Sequence, residues 1–112
     1  MEAVHNIFAD IPEGMSEEFF QEILQNDHVR IERIVSHGEK SPDGFWYDQE
    51  ENEWILLVAG EAELSFADGR RIALFPGDHL LIPGHTRHRI EKTDSTQNTI
   101  WLAVHFDGKE KR

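Results

Sequence analysis

Two groups of side chains in this chain have the types and spacing to do chemistry. The first is Tyr47-Asp48-Gln49 with Glu53 a short step downstream, an oxygen-rich run preceded by the aromatics Phe45 and Trp46. The second is His85-Thr86-Arg87-His88, separated from the apolar run before it by Pro83-Gly84. Carboxylate, amide and imidazole are donors that can hold a divalent metal at about 2.0–2.2 Å. The same groups can move protons to and from a bound organic molecule. Either use requires distant strands to bring the two groups together.

The elements that would do so are short strands. Val29, Ile31, Arg33 and Val35 alternate with Arg30, Glu32, Ile34 and Ser36, and a break containing Pro42 and Gly44 follows. Residues 53–59 and 61–66 read as strands joined around Gly60, and Ala67-Asp68-Gly69-Arg70 reads as a hairpin turn because Asp-Gly tolerates positive φ. Residues 71–74, 79–83, 88–91 and 99–106 complete the set, with Pro76-Gly77-Asp78 as a second turn. Such strands, with a turn about every ten residues, predict a sandwich or barrel.

Residues 1–28 read as an arm with one helix. Ser16 can cap it, Glu17 and Glu18 suit its N-terminus, and Phe19, Phe20, Ile23 and Leu24 recur at helical spacing. Residues 29–106 are then the barrel, and 107–112 a charged tail.

Alternation assigns faces. Glu53 shares one with Ile55, Leu57 and Ala59, so it is expected to point inward. Trp54, Leu56 and Val58 make the opposite face apolar too, which predicts a cover, either the arm or a second copy in a homodimer. His105 shares a face with Trp101 and Ala103, a candidate pocket wall. A buried Glu53 needs a partner, and His88 is the obvious one.

Composition excludes several classes. The 112 residues suffice for one domain, and the absence of cysteine rules out disulfides, thiolate metal sites and a Cys nucleophile. Eleven basic against 22 acidic residues give a net charge of −11, which disfavours nucleic acid and anionic membranes as partners. No apolar run approaches the roughly 20 residues of a membrane span, and Met1–His5 lacks the features of a signal peptide. A cytoplasmic location is the expectation.

Residues 29–106 resemble the cupin superfamily, whose small jelly-roll barrel carries the motifs Gly-x5-His-x-His-x3-or-4-Glu-x6-Gly and Gly-x5-Pro-x-Gly-x2-His-x3-Asn. Gly77, Pro83 and His88 match the second motif, with His85 in place of its Gly and Lys92 in place of its Asn. Glu53 and Gly60 match the end of the first. Its histidine pair is replaced by Tyr47 and Gln49 at three-residue spacing, or by Trp46 and Asp48 at four.

The resemblance implies an all-β, cupin-type jelly-roll β-barrel, and within it two readings stand open. In one, Glu53, His88 and Gln49 (Asp48 in the other register) hold Mn, Fe, Ni or Zn, and Glu53 or Tyr47 assists proton transfer on a small polar ligand. His85, His105 or His37 could add a nitrogen donor, and Trp46, Asp48, His85 and His105 are candidate ligand-binding residues. In the other, Glu53 and His88 form a metal-free buried pair in a barrel that only binds a ligand, or serves structure and dimerisation. Fold alone cannot select among them.

Overall fold

The structure, a computed structural model, describes residues 2–108. Eight strands follow one another: β1 (Phe19–Gln25), β2 (Val29–Ser36), β3 (Asn52–Ala59), β4 (Ala62–Phe66), β5 (Arg71–Leu74), β6 (His79–Ile82), β7 (His88–Thr93) and β8 (Thr99–Phe106). They form two antiparallel sheets, one in the order β1-β2-β8-β3-β6 and one in the order β5-β4-β7. The non-sequential orders are those of a rolled double sheet, since β8 returns between β2 and β3.

The two inner faces meet in one core. Ile55 and Leu57 of β3, Trp101 and Ala103 of β8 and Ile82 of β6 pack against Leu64, Phe66 and Leu74 of the smaller sheet. The inward face expected for β3 is therefore the observed one. Gly60 makes the β3–β4 corner possible: its φ is +81°, and a Cβ there would lie 2.6 Å from Thr99 Cα. The Asp68-Gly69 hairpin also forms, with Phe66 N–H donating to Arg70 O at 2.9 Å and Gly69 at φ +97°.

The helical arm does not form, and the described residues contain no helix. Phe19 to Gln25 are instead β1, the edge strand paired to β2. The helix-like spacing of Phe19, Phe20, Ile23 and Leu24 has a β explanation. A bulge between Glu22 and Leu24 inserts one residue, so Phe20 lies on the inner face opposite Ile34 and Leu24 lies on the outer face opposite Ile31. Pairing with the open edge of β2 engages six of the seven residues of β1 in one ladder, where an isolated helix of about two turns is unstable.

The segment before β1 is anchored by one side chain. Arg33, only 3% exposed, donates from Nη1 to Ile7 O and Ala9 O and from Nη2 to Asp10 O, at 3.0, 2.6 and 3.2 Å. Of the charged tail, residues 109–112 lie outside the described residues.

Candidate functional site

A cavity of about 280 Å³ opens between the sheets. One end is polar, lined by Tyr47, Gln49, Glu53, His88, His105 and Glu32. The middle is apolar, with Ile34, Ile55, Leu64, Ile82 and Ile90, and Phe20, Trp101, Arg30 and Glu18 complete the wall.

Strand register explains the polar end. Glu53 on β3 sits opposite His105 on β8, and His105 sits opposite Arg30 on β2, so all three point the same way. His88, first residue of β7, comes from the facing sheet, paired with Phe66. Its backbone also bridges Tyr47: Tyr47 N–H donates to His88 O at 2.7 Å, and His88 N–H to Tyr47 O at 3.1 Å. The two rings stack with centroids 5.4 Å apart.

Glu53 is the hub. Its Oε1 accepts from Gln49 Nε2 at 3.2 Å and faces His88 Nε2 at 3.6 Å, too long for a hydrogen bond but a close charge contact. Its Oε2 lies 3.7 Å from His105 Nε2, which itself bonds Glu32 Oε1 at 3.0 Å. His88 Nδ1–H donates to Thr86 O at 2.7 Å, so Nε2 is the nitrogen turned toward Glu53.

These contacts shift the acids and bases. Burial pulls the His88 pKa down, but Glu53 and the Thr86 carbonyl outweigh it, and the imidazole holds its proton above the ordinary 6.5. The hydrogen bond from His105 holds the Glu32 carboxyl below its usual range against the opposing effect of burial. Burial first, then the charges of Glu18, Glu53 and Glu32, push the Tyr47 phenol up to about 12. Tyr47 is thus a protonated donor at the cavity wall.

Of the sequence candidates, Tyr47, Gln49, Glu53, His88 and His105 come together, and Trp46, Asp48 and His85 do not line the cavity. Trp46 packs outside beneath the guanidinium groups of Arg87 and Arg89, 5.7 and 6.0 Å from its ring centroid. Asp48 and His85 form an exposed pair at 3.0 Å, and His85 carries the positive φ of 60° that the motif's glycine would adopt. His37 is exposed and bonded to Asn98 at 3.0 Å. Glu18, Arg30 and Glu32 had no sequence motif to announce them; for Arg30 and Glu32 the available signal was their shared alternation on β2.

The donor set does not fit a resident metal as it stands. Among the described residues no group of three or more His, Asp or Glu is arranged to hold an ion. His105 is committed to Glu32, and Gln49 offers Glu53 its amide nitrogen rather than an oxygen.

A rolled double sheet around a partly polar interior defines a small β-barrel protein. The Cupin domain family matches residues 32–105, and the chain belongs to that family. A solved structure from Ralstonia eutropha, provisionally named a mannose-6-phosphate isomerase, is 44% identical, with a TM-score of 0.90 over 96% of this chain and 100% of that one. A cupin superfamily protein from Desulfitobacterium hafniense is 23% identical, with a TM-score of 0.72 over 88% and 84% of the two chains. The polyketide cyclase RemF from Streptomyces resistomycificus is 22% identical, with a TM-score of 0.72 over 95% and 79%. These last two share the fold. No curated protein matches the chain.

Proposed function

We propose that this cupin binds a small polar organic molecule in its cavity and that His88 and Glu53 act on it as an acid–base pair. The observation that carries the reading is their meeting at 3.6 Å inside the cavity, with side chains 6% and 11% exposed. His88 holds a proton that it can donate, Glu53 can accept one, and Tyr47 offers a second donor from the ring stacked on His88. The 44% identical protein from Ralstonia eutropha, provisionally named an isomerase, supports acid–base chemistry on a small organic molecule. The test is ligand-observed NMR against a library of small polar molecules. A hit lost in both His88→Gln and Glu53→Gln supports the reading; hits that bind both variants unchanged overturn it.

A divalent ion (Mn, Fe, Ni or Zn) on Glu53, His88 and Gln49 is the second reading, supported by His88 Nε2 standing 3.6 Å from the Glu53 carboxylate. It requires Gln49 to turn its oxygen inward. A homodimer and a cytoplasmic location belong to the same proposal. No helix among the described residues is long and apolar enough to cross a membrane.

A further inference from the structure

We propose that the cavity selects a small amine, with its ammonium head at Glu53 and Glu32 and an apolar body along the middle of the barrel. The proposal rests on the cavity being a ligand site, and it deepens that reading by fixing the charge of the ligand.

The starting point is an acceptor without a donor. Glu53 is 9% exposed, yet among the described residues its Oε2 accepts no hydrogen bond, with His105 Nε2 standing off at 3.7 Å. The atom is not sealed in protein: the enclosed polar atoms lacking partners among the described residues are the side-chain nitrogens of Arg30, Arg33, Arg89 and Trp101, and none is a carboxylate oxygen. A carboxylate oxygen this deep requires a donor from whatever enters the cavity. Glu32, on the other side of His105, likewise uses only Oε1, at 3.0 Å. The two carboxylates therefore present acceptors to one region across a shared imidazole.

The charge around that region favours a cation over a hydroxyl group. Glu18, Glu32 and Glu53 all line the cavity, and each raises the proton affinity of the Tyr47 phenol. Arg30 is the one lysine or arginine in the wall, and its guanidinium is directed at Glu51, 3.3 Å away. His88 is balanced by Glu53. An ammonium group has three donors and no acceptor, the complement of the free Glu53 and Glu32 oxygens at this end of the wall. Ile55, Leu64 and Ile82 suit an apolar body, and Phe20 adds an aromatic side chain to the same wall. A phosphate dianion would meet the opposite: three carboxylates against a single guanidinium, already paired through Nη2 with Glu51. The cavity thus differs from what the provisional name of the Ralstonia eutropha protein would call for.

Calorimetric titration with benzylamine, benzyl alcohol and benzyl phosphate, in amine-free buffer with EDTA, separates the alternatives on one aromatic body. The expected result is benzylamine binding about tenfold or more tighter than the alcohol, and no heat from the phosphate. Glu32→Gln should weaken the amine about fivefold and leave the alcohol unchanged. Alcohol or phosphate binding as tightly as the amine overturns the amine proposal and leaves the cavity reading standing, as does a Glu32→Gln variant that keeps full amine affinity. If none of the three binds, the ligand cavity itself falls and this proposal with it. The comparison on the unmodified protein stands even if the variant fails to fold.

Discussion

At Glu53 the interior charge meets three neighbours, Gln49, His88 and His105, and its removal should be visible at His88. Glu53→Gln is expected to lower the His88 pKa, measured by NMR titration of the ring protons, because the charge that outweighs burial is gone. The sign for stability follows. A histidine whose folded pKa is raised contributes stability that is fully present below the ordinary 6.5 and is lost as pH rises through the folded value. Chemical denaturation across that window should show the decline in the native protein and lose it in Glu53→Gln. His88→Ala should cost roughly 1–3 kcal/mol in the same assay, since Glu53 loses a partner. Elemental analysis of chelator-free protein checks the metal reading: near-stoichiometric Mn, Fe, Ni or Zn, abolished by His88→Ala, is its expected outcome. At this scale the sequence left Tyr47 and Gln49 competing with Trp46 and Asp48, because a loop can take either spacing. The backbone bridge between Tyr47 and His88 chose the first pair.

Strands, not side chains, carry the next level. The β3 alternation was legible because Glu53 travels with Ile55 and Leu57, and both faces of that segment follow from period two. On β2 the same rule left the inward face open, and the pairing of Arg30 with His105 turned the more polar set into the cavity. β1 misled because a bulged edge strand imitates helical spacing. Two expectations belong here. Gly60→Ala should destabilise the fold by about 1–3 kcal/mol in denaturant melts, as a side chain at positive φ would also strike Thr99. Arg33→Ala should release residues 6–10, seen as lost hydrogen-exchange protection there, because three carbonyls lose their charged donor.

The whole molecule shows two outer faces of different character. The smaller sheet is covered by a polar network in which Ser65 bonds Glu91 and Arg71 pairs with Glu63, both at 2.7 Å. The larger sheet turns outward the half-buried Trp54, Leu56, Leu102 and Val104, with Leu81 39% exposed. No helix of the described residues lies over them. A second copy of this chain is the proposed cover. Sedimentation should give a dimer, and Leu102→Glu should give a monomer with the cavity chemistry retained; a compact monomer of the native chain at high concentration would remove the idea.

Turn chemistry, strand periodicity and the Gly77–Pro83–His88 spacing determined the all-β barrel and named its two central side chains, because those features depend on neighbours within a few residues. Which of the remaining polar residues share the interior depended on register between strands up to seventy-three residues apart, as in the Glu32–His105 bond. Local sequence cannot specify that register, because it is set only when both sheets close around a common core. The tertiary structure alone therefore decided that Glu32, Arg30 and Glu18 surround the cavity and that His85 and Asp48 stay outside it.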